Sequence, residues 1–229
     1  MQSKISMDQK LERTLGFLTE NLRIYREEGK RIVMTSSFQT QSVPLLHLIS
    51  EYFREVEVLF IDTGFLFSET YSFKNELEKK FQLKVRVLES ESTYVQQRDS
   101  RGLFLYASDA TRCCQINKVD PLNNYLQPGD VWISGVRRDQ TSVRNAMKPI
   151  EADPRGIIRL HPMLDWTASD IYRYLNLYEL PRHPLEFAGY ESIGCVPCTH
   201  PCGANGDRGG RWLGSQKTEC GLHTENKKG

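Results

Sequence analysis

The sequence predicts an α/β domain built on a parallel sheet, and three observations carry that expectation. Short apolar runs alternate with helix-period segments, the order that produces crossover helices. The run at residues 56–61, Val-Glu-Val-Leu-Phe-Ile, is almost continuously apolar, as a strand covered on both faces requires. Two polar turns, Ser36-Ser37-Phe38-Gln39-Thr40-Gln41 and Asp62-Thr63-Gly64, follow directly on strand candidates. In such sheets ligands gather at the carboxyl ends of the strands.

The elements follow in order. Leu11, Leu15, Leu18 and Leu22 recur at helical spacing and define an amphipathic first helix that breaks near Gly29. Residues 31–34 read as the first strand, and residues 43–53 as a helix that tolerates Pro44 in its first turn. After the strand at 56–61, residues 68–81 read as the next helix, and 84–88, 131–134 and 157–160 as further strands. Residues 167–178 form a helix with Thr167 at its cap and Asp170 three positions on, a variant of the capping box. From Gly203 the texture changes: five glycines by Gly214 and few apolar residues. The expected organisation is therefore an α/β domain over 1–202 and a flexible tail over 203–229.

Lys plus Arg (30) nearly cancel Asp plus Glu (29), so no global field draws the chain to nucleic acid or to a membrane surface. An anion site must be built locally. The first residues lack the apolar stretch of a secretory signal, and no apolar run approaches membrane-spanning length. Composition thus suggests a soluble cytoplasmic protein, in which six cysteines serve as ligands or catalysts more readily than as disulfides.

Four of them form two pairs, Cys113-Cys114 and Cys195-Val196-Pro197-Cys198. The second has the C-x-x-C spacing that brings two thiolates to one metal centre. Adjacent helical residues point about 100° apart, which is awkward around one tetrahedral ion but acceptable around a cubane, where each thiolate takes a different iron. A structural zinc site and a pair of incidental buried cysteines are the alternatives. Lys118, four residues after Cys114, falls on the ligand face if the segment is helical and would favour an anionic cluster. Cys220, in Glu219-Cys220-Gly221-Leu222-His223, lacks apolar neighbours to bury it and has His223, Lys217, Arg211 and Arg208 nearby. Cations of that kind lower a thiol pKa and make a nucleophile. A mobile segment carrying it could close over a substrate and then meet a partner.

The turn over residues 36–41 precedes a helix and could cradle a phosphate. Arg137-Arg138-Asp139-Gln140, with Arg144 beyond, is a stronger anion signal, because arginines at a buried strand end are costly without an anion. Asp62 reads equally as a helix cap or a ligand contact.

Taken together, these residues resemble the assimilatory sulfonucleotide reductases of the adenine nucleotide α-hydrolase-like (Rossmann-like) superfamily. The resemblance spans about residues 31–223 and rests on the SSF turn, the IDTG run, Cys113-Cys114, RRDQ, the HPL segment at 183–185, GCVPCT at 194–199 and ECGLH at 219–223. It implies a [4Fe-4S] cluster on Cys113, Cys114, Cys195 and Cys198 that tunes the site without shuttling electrons. It implies nucleotide contacts from Ser36, Ser37, Phe38, Gln39, Thr40, Gln41, Asp62, Thr63 and Gly64, and substrate contact from Lys118. Arg137, Arg138 and Arg144 would form an arginine loop, and Arg208 and Arg211 would clamp the anion. Cys220 would attack adenosine 5'-phosphosulfate, with thioredoxin or glutaredoxin as reductant; homo-oligomers occur in such families.

Two features depart from the family pattern. Cys202 is extra and reads as a bystander, and the SSFQTQS turn looks more like that of the branch acting on the 3'-phosphorylated nucleotide. A reductase of that substrate, or of both, is the near alternative. An ATP-dependent thiolase or ligase of the superfamily would need a glycine-rich loop that is missing here. A cluster-bearing nucleotide sensor would have no use for Cys220.

Overall fold

The computed structural model describes residues 6–201, 210–212, 219, 221 and 222. Helix α1 (Met7–Glu27) starts at Ser6, which forms a capping box with Gln9. That pairing satisfies two amides that would otherwise lack partners. Then β1 (Ile32–Ser36), α2 (Val43–Tyr52), β2 (Glu57–Asp62), α3 (Ser68–Phe81) and β3 (Lys84–Glu89) alternate. The short helices α4 (Leu105–Ser108), α5 (Ala110–Cys114) and α6 (Asp120–Tyr125), with a π turn (Gln115–Val119) between the last two, lead to β4 (Val131–Ser134). They are followed by α7 (Ser142–Asn145), β5 (Ile150–Ala152), β6 (Ile158–Leu160) and α8 (Ala168–Leu177).

The strands form one sheet of order β3-β2-β1-β4-β6-β5. All neighbours are parallel except β5, which runs antiparallel to β6 at the edge. Successive residues divide between the two faces, as a period of two demands. Met34, Val58, Phe60 and Ile133 join the core formed with Leu18 and Leu22 of α1, Leu45 of α2, Phe73 of α3 and Ile171 of α8. Val33, Leu59 and Trp132 join the opposite cluster with Leu122 of α6. This double coverage explains the unbroken apolar run at 56–61. The strand order reverses between β1 and β4, which opens a crevice at their carboxyl ends.

The expected α/β fold is therefore the observed one, with local differences that include the unexpected short helices between β3 and β4 and after β4. β1 extends to Ser36 because Thr35 and Ser36 pair with Leu59 and Phe60 of β2. β5 was not expected; three residues on an edge carry too little periodicity to be seen. Among the described residues no helix is long and apolar enough to cross a membrane.

Phe38 holds the turn after β1 in place. It has φ 52°, a left-handed conformation that costs a non-glycine residue about 1–3 kcal/mol. Its ring is fully buried and meets Phe60 edge-on, with centroids 5.5 Å apart. Phe38→Ala is expected to lower unfolding free energy by about 3–5 kcal/mol in urea denaturation.

Candidate active site

A cavity of about 190 Å³ opens at the carboxyl ends of β1 and β4. Ser36, Ser37, Gln39 and Gln41 line one wall, Ser134, Gly135, Val136 and Gln140 another, and Ser192, Ile193 and Gly194 a third. The turn is pre-arranged by its own hydrogen bonds: Phe38 N–H donates to Ser36 Oγ (3.1 Å) and Gln39 Nε2 to Ser37 Oγ (2.9 Å). Its residues alternate, so Phe38 and Thr40 do not present side chains to the cavity. Phe38 points into the core, and Thr40 is buried and accepts a bond from His183 N–H (3.0 Å). Both side chains support the turn from within.

The arginines also separate. Arg137 is 1% exposed and donates to Asp139 (2.9 Å) and Gln41 Oε1 (2.7 Å), so it braces the cavity wall from behind. Arg138 turns away from the cavity. It pairs with Asp165 and donates to the carbonyls of Asn145 and Met147. Arg144 lines the cavity but is engaged by Glu219. The positive charge expected at the β4 end is thus largely met within the protein.

A second, smaller cavity adjoins the first. Cys113, Cys114, Cys195 and Cys198 line it together with Thr63, Lys118 and Arg211. None of the four is joined in a disulfide. The helix that carries Cys113 and Cys114 passes into the π turn at Gln115–Val119. Such turns widen the repeat to five residues and occur frequently at functional sites. Lys118, five residues after Cys113, consequently reaches both cavities, a placement that the plain helical spacing only approximated. Asn117 donates to the Cys113 carbonyl at 3.0 Å and lies 3.5 Å from its sulfur. The 195–198 turn is tied to the end of β2 by Val196 N–H to Phe65 O (2.7 Å) and closed by Thr199 Oγ1 donating to Cys195 O (2.9 Å).

The four thiols differ in electrostatics. Burial pushes Cys113 up to about 11 and also raises Cys198. Burial acts the same way on Cys195, but Lys118, a hydrogen bond with Thr63 (3.2 Å) and Arg211 outweigh it and hold that thiol below its ordinary value. These are the residues that could hold a metal group. Among the described residues no three His, Cys, Asp or Glu side chains converge as they would around a single ion. Thr63 therefore serves the cysteine cavity, while Asp62 accepts from Gly64 N–H (2.8 Å) and Tyr71 Oη (2.6 Å) and caps the turn.

Arg211 lines both cavities as well. It bridges to Thr199 as an isolated β-pair, flanked by His200 N–H to Gly210 O (2.9 Å) and Trp212 N–H to Cys198 O (3.1 Å). Its guanidinium lies against Trp212 (4.6 Å to the ring centroid) and crosses Gly194 so closely that a Cβ there would sit 2.3 Å from Nη2. Among the described residues its Nε is buried without a hydrogen-bond partner, and a buried donor of that kind calls for one. Sequence reasoning gave Gly194 no role of its own; its place next to Cys195 in the GCVPCT run was the available signal.

His183, first of the HPL segment, is fully buried behind the cavity. Its Nδ1 accepts from Leu185 N–H (3.2 Å), so the proton resides on Nε2, which donates to Thr70 Oγ1 (3.1 Å). Burial lowers its pKa from 6.5 to about 4. The unfolded chain therefore binds the extra proton first. This contribution to stability is intact above pH 6.5 and is lost as pH falls toward 4, by up to about 3 kcal/mol. His183→Gln is expected to flatten that part of the curve of urea midpoint against pH.

Cys220, Arg208 and Cys202, and most of the expected 203–229 tail, lie outside the described residues. The tail residues that are described rest on the α/β body: Leu222 lines the first cavity, and Glu219 is 5% exposed.

Comparison with known proteins gives concordant results. The family model described as "Phosphoadenosine phosphosulfate reductase domain" matches residues 31–201. Adenosine 5'-phosphosulfate reductase 2 of Bacillus subtilis is 37% identical over 88% of this chain and 86% of its own. Adenosine 5'-phosphosulfate reductase of Bacillus cytotoxicus is 38% identical over 93% of each. The crystal structure of phosphoadenylyl-sulfate reductase from Candida auris superposes with a TM-score of 0.65 at 21% identity, covering 84% of this chain and 97% of that one. This last likeness concerns the fold.

Proposed function

This chain belongs to the phosphoadenosine phosphosulfate reductase domain family, and on that footing we propose that the paired cavities reduce adenosine 5'-phosphosulfate to sulfite and AMP. The observation that carries the reading is that Lys118 and Arg211 line both the strand-end cavity and the cysteine cavity. A phosphosulfate held between these cations would have charge developing on its phosphate neutralised as the sulfur–oxygen bond breaks. Ser36, Ser37, Gln39 and Gln41 would receive the nucleotide.

The reaction then needs one thiolate. Cys220 attacks the sulfonyl sulfur, the bond to the phosphate oxygen breaks, and AMP leaves with that electron pair. Cys220 becomes S-sulfocysteine. A thiolate of thioredoxin or glutaredoxin attacks the Cys220 sulfur and expels sulfite. The partner's second thiol resolves the mixed disulfide, so two thiols are oxidised for each sulfonyl group reduced.

The donor set of the second cavity suits a [4Fe-4S] cluster. Four thiols from two segments line one cavity, and thiolate is the ligand such clusters take. Lys118 and Arg211 offset the negative charge of a tetrathiolate site. When bound, the cluster would supply an anionic, polarisable centre that tunes the potential beside the substrate. Lys118 would then be shared between cluster and phosphosulfate, and the reaction would take place in the cytoplasm, where reduced partner thiols are available.

Arg211→Ala is expected to lower kcat/KM on the order of 10²-fold, because the guanidinium that lines both cavities is lost as an anion donor. The overall reading is tested by offering labelled adenosine 5'-phosphosulfate without reductant and measuring intact mass. A sulfonate adduct on Cys220 supports it, and an unmodified protein refutes it. Steady-state rates with the 3'-phosphorylated nucleotide in parallel decide between single and dual specificity.

A further inference from the structure

The arginine expected to meet substrate is already bound by the residue next to the nucleophile. Arg144 and Glu219 side chains are 9% and 3% exposed and form a two-pronged pair: Nε to Oε2 at 2.9 Å and Nη2 to Oε1 at 2.7 Å. Parallel contacts of this kind fix direction as well as distance. Thr141 Oγ1 donates to the same Oε2 (2.9 Å), and Arg144 Nη1 donates to Gln140. Every guanidinium nitrogen of Arg144 is therefore engaged within the protein.

On the other side of residue 220 the chain is seated again. Gly221 lies so close to Val119 that a Cβ would stand 3.0 Å from its Cγ2. Leu222 packs on the cluster containing Val33, Leu59 and Trp132, and lines the cavity. The two seats belong to different walls, one to the loop after β4 and the other to the π turn that carries Lys118. Buried ion pairs add little net stability over apolar ones, so what this pair provides is position.

The geometry points to the Arg144–Glu219 pair as a clip that, with Leu222, fastens the chain on either side of position 220 to the cavity walls, which makes Arg144 and Glu219 positioning residues for Cys220. This rests on the proposed function only in taking Cys220 as the nucleophile. Neutralising Glu219 serves the same end, because a bare carboxylate beside a thiol would oppose thiolate formation.

The test uses the full chain with Glu219→Ala, the isosteric Glu219→Gln, Arg144→Lys and the Gln/Lys double variant. Three quantities are measured: AMP affinity, the single-turnover rate of Cys220 adduct formation, and the rate of Cys220 alkylation by iodoacetamide, mapped by mass. The clip predicts AMP affinity unchanged in all four and adduct formation slowed roughly 10²-fold in Glu219→Ala, the scale of a nucleophile displaced by about an ångström. Alkylation should be faster in every variant, and the double variant no worse than its worse single, as for residues acting as a unit. AMP affinity lost in Arg144→Lys but kept in Glu219→Gln would make Arg144 a substrate ligand and overturn the clip. So would unchanged alkylation in Glu219→Gln, the variant that keeps the shape if Glu219→Ala fails to fold. A wild type that forms no adduct strikes the proposed function instead, and the alkylation rates still decide the clip.

Discussion

Cys220→Ser is expected to abolish sulfite formation while leaving iron content, AMP binding and thermal stability at wild-type levels. A serine hydroxyl is scarcely ionised near neutral pH, whereas a thiol beside cations is substantially thiolate. The loss should be on the order of 10⁶-fold, the scale seen when a covalent nucleophile is removed. The proposed chemistry assigns the attack to no other thiol, and among the described residues the remaining thiols are those that line the cavity of Cys113, Cys114, Cys195 and Cys198. Continuous assay of AMP release, with iron measured on the same preparation, checks both halves. Residual turnover above trace level would remove Cys220 from the mechanism.

How far the site could be read from sequence depends on what each residue's role requires. The crossover order and the unbroken apolar run at 56–61 disclosed the sheet, because burial on both faces leaves a mark in composition. The cysteine pairs were visible by spacing, and the structure places all four around one cavity. The arginine loop was legible as a cluster of charge but not as a set of roles. Arg138 meets Asp165 and two carbonyls, Arg137 meets Asp139 and Gln41, and Arg144 meets Glu219. Each of those partners is fixed by tertiary packing, and 75 residues separate Arg144 from Glu219. Phe38 shows the converse: a run of six polar-looking turn residues hid one aromatic that belongs to the core.

Cys195→Ala should have the second large effect, and on cofactor before activity. Cys195 is 8% exposed, hydrogen-bonded with Thr63 at 3.2 Å, and is the thiol of the four that Lys118 and Arg211 hold toward its ionised form. Removing it deletes the anion those two cations face and leaves three thiols, two of them pushed upward by burial. Iron in anaerobically purified protein should fall from about four per chain, the content of one cubane, to well below one. Lys118 and Arg211 would then face each other's charge across an emptied cavity, so the melting temperature should fall with the iron even when no substrate is present. Cys202→Ser, changing a cysteine outside the two pairs, should leave iron and melting temperature unaltered. Should Cys195→Ala retain its iron, or the wild type carry zinc, the cavity would be a different metal site and Lys118 would lose its assigned link between cofactor and substrate.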